Sequence, residues 1–467
     1  MKKLTLAWIC ALLCGGTVHS QNNYEGNYTR PLSSVVNDVQ KRFNVRLRFD
    51  MDTTGLKLPF ADFRIRPYSV EETLTNICRY YDWNWWKRSG KLYRISRYEY
   101  YRRHPEEGKA MLDYLSALYN NKVEWEKRRE TLRREVRERL EIDAFLDSCI
   151  SRPRVTVGKI MPHDGYTTQN ICMELIAVDG KKDTTAGETA SAQTGRTVQH
   201  IFGTIYAPDG KAKNAGAKGK NALKKGSGKH PLIICPDGHW PTRYREDEQQ
   251  RLGTLARMGA VCVDFDLYGY GQSEAEVGRH DVARAHIFQA ACGLKLLDYM
   301  LDSRKDIDRQ HIGVCGGSGG GTHTVLLSLL RDDIAAIAPV VHVASHFDGG
   351  CPCESGMPVQ LAAGGTCEAE LAATFAPRKM LLVSDGGDWT HTTEQLEMPF
   401  IRRIYDFYDA GDNVENVHLK DEKHDFGPQK RKAVYDFFAR VFGLDITLAD
   451  EQKVTILPPE SLKSSLE

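Results

Sequence analysis

Gly316-Gly317-Ser318-Gly319-Gly320 constrains this chain more than any other stretch. It follows a short apolar run, His311 to Cys315, and precedes Thr324 to Leu330. The order is strand, glycine-lined turn, helix, with a serine at the apex. A serine held in such a turn lifts its hydroxyl above the sheet. Its neighbours must be small, because strand and helix nearly touch there. The N–H of Gly319 then points at a developing oxyanion. Glycines before a helix also cradle phosphates, so the motif alone leaves two chemistries open.

The surrounding pattern supplies the context. Pro231 to Cys235 reads as a strand, Gln249 to Met258 as a helix, Val261 to Phe265 as a strand and Val282 to Leu301 as a helix. After the serine turn come strands within Ile334–Val343, at Lys379–Ser384 and at Val417–Leu419, then a helix over 429–442. Continuous apolar strands between helices predict an α/β fold, with a mostly parallel sheet covered by helices on both faces. Ahead of these, Val155, Met173–Val178 and Val198–Tyr206 read as antiparallel edge strands. Two insertions, 180–196 and the lysine-rich 209–230, read as surface loops.

An activated serine needs a base, and the base needs an orienting acid. Both follow in order. Ser384-Asp385-Gly386-Gly387-Asp388 comes after one strand, and Lys423-His424-Asp425-Phe426 after the last. His424 is the expected base. Asp388 is the expected acid because it lies farther out on its loop. Asp385 is second choice, expected to shape the turn, and Glu354 is an outside candidate. The second oxyanion donor should come from Pro236-Asp237-Gly238-His239-Trp240, with the His239 N–H preferred and its imidazole read as pocket wall.

Strand, serine turn, helix, late acid and last histidine together resemble the α/β-hydrolase fold. The blocks Gly238-His239-Trp240, Gly269-Tyr270-Gly271-Gln272-Ser273, Ser318-Gly319-Gly320-Gly321-Thr322, Gly349-Gly350-Cys351-Pro352-Cys353-Glu354, Ala376-Pro377-Arg378 and Gly387-Asp388-Trp389-Thr390 resemble secreted Bacteroidetes-type carbohydrate esterases. These are acetylxylan-esterase-like and include pectin methylesterase relatives. The resemblance covers about residues 120–445. It implies Ser318 as nucleophile, His424 as base and Asp388 as acid. Trp240, Trp389 and Glu354 are the substrate-pocket candidates. The chemistry calls for no metal or organic cofactor. Two positions depart from the pattern. Asp237 stands where such loops often carry His, and Asp425 where relatives often have Asn.

Residues 30–100 read as a separate module of helix, strand, helix and hairpin. Leu32, Val35, Val36 and Val39 mark the first helix; Ser69 with Glu72 makes a capping box for the second. The opening Pro31–Val36, the helix Val70–Leu74 and the strand Tyr93–Ile95 resemble the short N-terminal domain of secretins and TonB-dependent receptors. Such modules mediate protein contacts in the periplasm, which makes residues 21–100 the candidate surface for a protein partner. The rings of Tyr80, Tyr81, Trp83, Trp85 and Trp86 are expected to pack a small sheet rather than a sugar. Residues 105–145 read as a charged bridging helix with a stripe of Val123, Leu132, Val136 and Leu140.

The division expected is a leader at 1–20, the module at 21–100, a helical connector at 101–150, the hydrolase at 151–447 and a tail at 448–467. Lys2-Lys3, an apolar Leu4–Leu13 and Val18-His19-Ser20 read as a signal peptide cut near Gln21. Cys14 invites a lipoprotein reading, but Leu13 before it is bulky. The chain is then periplasmic or secreted. No later segment is apolar enough to span a bilayer, and a net charge of +1 makes no case for nucleic acid. Of 12 cysteines, Cys235, Cys262 and Cys315 should be buried thiols. Cys351, Cys353 and Cys367 look freest to pair. The function expected is an exported serine esterase acting on acetyl or methyl esters of a polysaccharide or oligosaccharide. A prolyl-oligopeptidase-type peptidase would need a propeller or cap, and no repeats would build one. A non-catalytic binding protein on a hydrolase scaffold would have no reason to retain all three residues.

Overall fold

Long apolar runs with no polar alternation cannot sit at a half-solvated sheet face, and here they form the centre of one ten-stranded sheet. The computed structural model describes residues 28–81, 83–96, 104–179, 196–209, 228–278, 280, 284–347, 354 and 359–465. The leader, Cys351, Cys353 and most of both insertion loops lie outside the described residues. The chain divides into two compact units, Met1–Tyr100 and Tyr101–Glu467.

In the second unit the strands are β1 (Val155–Val157), β2 (Met161–Pro162), β3 (Tyr166–Asp179), β4 (Arg196–Pro208), β5 (His230–Pro236), β6 (Val261–Phe265), β7 (Ile307–Gly317), β8 (Ala336–Val340), β9 (Lys379–Asp385) and β10 (Val414–Leu419). Their spatial order is β10-β9-β8-β7-β5-β6-β4-β3-β1, with β2 paired to β3. From β6 to β10 every pairing is parallel. The β4, β3, β2 and β1 pairings are antiparallel, as expected for Val155, Met173–Val178 and Val198–Tyr206. After β5 the chain crosses to β6 on one side, then returns to place β7 on the other. That reversal opens a crevice at the carboxyl ends of β5 and β7, where open α/β sheets bind ligands. Cys235, Cys262 and Cys315 are fully buried there.

The helical connector differs from its sequence reading. It is three helices, Pro105–Ser116, Lys122–Leu140 and Ile142–Ser148. The Asn121 side chain accepts from the N–H groups of Val123 and Glu124, which fixes the second start. The buried stripe is Trp125, Leu132, Val136 and Leu140, while Val123 is 66% exposed. Two residues turn the helix by about 200°, so Val123 and Trp125 cannot share a face. Arg128 anchors the middle helix on buried Glu370 at 2.8 Å. Residues 448–465 lie across the antiparallel strands: Arg243 donates to Leu462 O at 2.8 Å, and Ser464 Oγ to Gly203 O at 3.0 Å.

The first unit has helices Leu32–Phe43 and Val70–Tyr81 beside a sheet of Arg46–Phe49, Leu92–Ser96 and Asn84–Ser89. Ser69 Oγ accepts the Glu72 N–H at 3.1 Å, the cap its spacing predicts. Trp83 is buried and stacks on Tyr81, whereas Tyr80 is 46% exposed. The strand Arg30–Pro31, paired with Lys57–Leu58, had no signal in the sequence; two residues are too few to show alternation.

Candidate active site

The serine turn is built by close approach. Ser318 has φ 55° and ψ −120°, a conformation L-residues adopt only under constraint. The constraint is visible in the glycines around it. A Cβ on Gly320 would lie 2.2 Å from Pro236 O, and one on Gly316 2.5 Å from the same oxygen. Elbow and β5 terminus therefore touch backbone to backbone. The helix Gly319–Leu330 leaves from this turn, entirely buried.

Three loops at the carboxyl end of the sheet converge on the serine. Ser318 Oγ is 3.0 Å from His424 Nε2, and His424 Nδ1 is 2.6 Å from Asp388 Oδ2. Asp388 accepts at Nδ1, so that nitrogen carries the proton and Nε2 is left as acceptor for the serine hydroxyl. The other Asp388 oxygen is occupied as well. Oδ1 accepts from the Thr390 N–H and from Thr390 Oγ1, each at 2.6 Å. Trp389 packs on the His424 ring at 4.4 Å and on Phe347 at 3.9 Å. It is buried, so this pocket candidate is a wall behind the imidazole.

Asp385 faces elsewhere. It accepts the Gly387 N–H at 3.0 Å and pairs with Lys430 at 3.0 Å. Burial, and then the nearby Asp388 charge, push its carboxyl upward. Lys430 is itself fully buried. It donates to Lys423 O at 2.6 Å and to Asp425 at 2.9 Å, gripping the loop on both sides of His424. Asp425 thus has a structural partner, which accounts for its departure from the expected Asn.

Asp237 is explained in the same way. It pairs with Arg245 at 2.8 Å and accepts the Gly238 N–H at 2.9 Å. A Cβ on Gly238 would lie 2.7 Å from Gly317 O, so this loop lies directly on the elbow. The Gly238 N–H is turned onto Asp237, which leaves the next N–H, that of His239, as the loop's candidate oxyanion donor beside Gly319. Trp240 is 38% exposed, with the Arg245 guanidinium 5.1 Å from its ring centre. Behind the loop, Arg251 donates to Cys315 O at 2.9 Å and lies over Phe426. The space lined by Asp237, Trp240, Arg245, Ser318, His424 and Phe426 is about 10 Å3, room for one water-sized group.

Glu354 is the unexpected neighbour. It is 3% exposed, and its Oε1 is 3.4 Å from Ser318 Oγ and 3.4 Å from His239 Nδ1. It does not touch the His424 Nδ1 that Asp388 holds. Sequence reasoning placed Glu354 near the site but gave no hint of His280, whose Nε2 is 3.0 Å from His239 Nε2. Thr390 was named only within the Gly387–Thr390 block, with no role read for it, although an aspartate whose side chain accepts from the backbone two residues on is a local turn signal. Lys430 was not legible, since buried lysines carry no local pattern. Cys367, read as free to pair, is a buried free thiol whose burial pushes its pKa up.

Burial also raises two carboxyls under the loop. Asp237 is pushed up to about 6 and Asp264 to about 7, against the pull of Arg245 and Arg243. A carboxyl raised above its unfolded value of about 4 holds a proton that the unfolded chain lacks. Its contribution to stability is full below about pH 4 and is lost as pH rises through its folded value. Asp264→Asn should therefore lose less stability than wild type between pH 5 and 8. The difference, on the order of 2 kcal/mol, is readable from urea midpoints at the two pH values. Equal losses would mean Asp264 is ionised throughout.

A solved structure described as Methylesterase BT1017 shares 54% sequence identity with this chain. The two align over 94% of this chain and 91% of that one, with a TM-score of 0.74. The chain belongs to the family of that methylesterase. As a member it is an esterase with the α/β-hydrolase fold. An acetyl xylan esterase from Paenibacillus sp. R4 is 15% identical over 64% of this chain and 92% of that one, TM-score 0.41. A glucuronoyl esterase from Solibacter usitatus is 12% identical over 71% of this chain and 94% of that one, TM-score 0.42. No protein-family model and no curated protein matches the chain.

Proposed function

We propose that this protein is an exported serine esterase that removes methyl esters from a polysaccharide through a Ser318–His424–Asp388 acyl-enzyme mechanism. The observation that carries the reading is the pair of contacts on His424, 3.0 Å to Ser318 Oγ and 2.6 Å to Asp388 Oδ2. Ser318 attacks the ester carbonyl as His424 Nε2 takes its proton. Asp388 holds the ring and stabilises its cation. The N–H groups of Gly319 and His239 receive the oxyanion. His424 then protonates the departing alcohol. Water repeats the sequence on the acyl-enzyme and releases the acid.

Methyl is preferred to acetyl on one ground. The 54% identical relative is described as a methylesterase. Residues 21–100 are read as a protein-docking module, on the strength of their helix, strand, helix and hairpin order. No helix among the described residues is long and apolar enough to cross a membrane.

One experiment tests these parts together. Protein recovered from the periplasmic fraction should begin near Gln21. Incubated with acetylated xylans and methylated pectins, it should release methanol in large excess over acetate. Acetate as the main product would replace methyl by acetyl, and a lipidated start at Cys14 would replace soluble export by an anchor.

A further inference from the structure

Between β5 and the helix Glu246–Arg257 the chain carries neither helix nor strand, so the place of the His239 N–H depends on what pins this loop. Its front lies on the elbow, where a Cβ on Gly238 would meet Gly317 O at 2.7 Å. Its middle is held by the Gly271 N–H, which donates to Pro241 O at 3.2 Å. Its rear is held by a strap from far along the chain, residues 454–464. Arg243 donates to Leu462 O at 2.8 Å. Gln249 and Gln272 each pair with the strap in both directions. Gln249 donates to Leu457 O at 3.0 Å and accepts the Leu457 N–H at 2.7 Å. Gln272 donates to Ser464 O at 2.7 Å and accepts the Ser464 N–H at 2.8 Å. A carbonyl only accepts and a backbone N–H only donates, so both side-chain amides are fixed in orientation and stand in for the peptide of a neighbouring strand. Each also reaches the loop. Gln249 donates to Tyr244 O at 2.7 Å, and the Tyr244 hydroxyl donates to Gln272 Oε1 at 3.0 Å.

We infer that the strap 454–464 positions the oxyanion loop of the esterase, and that Gln272 is the positioning residue through which it acts. This rests on the serine-esterase reading above. An oxyanion donor works only where it meets the oxygen of the tetrahedral intermediate, at about 2.7–3.1 Å. A displacement of about 1 Å can cost on the order of 100-fold in rate. Binding of the intact ester makes no such demand, because its carbonyl oxygen has not yet moved to that place. The strap is a firm support for this purpose. Leu462 and Ser464 are buried, and Asn170 ties the strap to β3 by donating to Ser461 O and Lys463 O, each at 2.9 Å. Gln272 is anchored on its own side as well, its N–H donating to Asp266 Oδ2 at 2.7 Å. One side-chain amide therefore joins strap, glycine turn and oxyanion loop, and Tyr244 carries its hold to the loop.

The test measures kcat and KM for an aryl acetate on the full chain, with the affinity of an arylboronic acid, which forms a tetrahedral anion on the serine, and the urea midpoint in parallel. Gln272→Ala should lower kcat by about 10- to 100-fold with KM within about twofold, and weaken the boronate by a similar factor. Tyr244→Phe removes only the hydroxyl that ties the loop to Gln272 and leaves the strap paired. It should lower kcat and boronate affinity several-fold even if Gln272→Ala fails to fold. Asn170→Ala loosens the far side of the strap without touching the loop. It should lower the urea midpoint and keep kcat within about twofold. Unchanged kcat in Tyr244→Phe, a loss of kcat with boronate affinity retained, or kcat that follows the urea midpoint through all three variants overturns the inference. A wild-type protein that neither turns over the ester nor binds the boronate would instead remove the serine mechanism itself.

Discussion

Ser318→Ala is expected to fold normally and to lose about 10⁴- to 10⁶-fold in kcat, the range seen when a triad nucleophile is removed. Folding should survive because the hydroxyl contributes one contact to His424 and one to Glu354 and no core packing. The strained backbone at φ 55° is fixed by the glycine contacts with β5, which the substitution does not touch. Turnover should not survive, because no other hydroxyl among the described residues is placed at His424 Nε2. A fluorophosphonate probe should accordingly label wild type at one serine and the variant at none. His424→Ala should also block labelling, for a different reason: the hydroxyl remains but nothing takes its proton. Labelling of Ser318 at wild-type rate in the His424 variant would leave an elbow without a triad.

How far the site was legible follows from how local each signal is. The elbow is local, since one run of glycines encodes both the turn and the backbone contact it permits. The strand and helix order is local too, because an apolar strand buried on both faces needs no partner to be recognised. The antiparallel half was legible as the apolar runs Met173–Val178 and Val198–Tyr206, which lie within the longer strands Tyr166–Asp179 and Arg196–Pro208. What could not be read depends on contacts between distant segments. Lys430 is an ordinary helix lysine until the fold brings it to Asp385 and Asp425. His280 gains meaning only beside His239, 41 residues earlier in the chain. Val123 misled because a stripe was counted without its true phase, which Trp125 sets. Glu354 was placed near the site by its position after a strand, yet the geometry gives it the serine and His239 as neighbours, with Asp388 on the base.

The two aspartates after β9 give the other large expected effect. Asp388→Asn should lower kcat by about 10⁴-fold, while Asp385→Asn should leave it within about tenfold of wild type. The asymmetry follows from the proton on His424. Asp388 Oδ2 accepts from Nδ1 at 2.6 Å, and that bond selects the tautomer with Nε2 free for Ser318. Both donors on Oδ1 come from Thr390, so in Asp388→Asn the new amide oxygen would be drawn to Thr390 and its NH2 turned toward the imidazole. The ring would then protonate at Nε2 and could not take the serine proton. Asp385 instead holds Lys430 and the Gly387 N–H. Its loss leaves a buried ammonium still paired with Asp425 at 2.9 Å, a cost of about 1–3 kcal/mol in stability. Paired measurements of kcat and urea midpoint separate the outcomes: Asp388→Asn should change the first and Asp385→Asn chiefly the second. The reverse pattern would move the acid to Asp385.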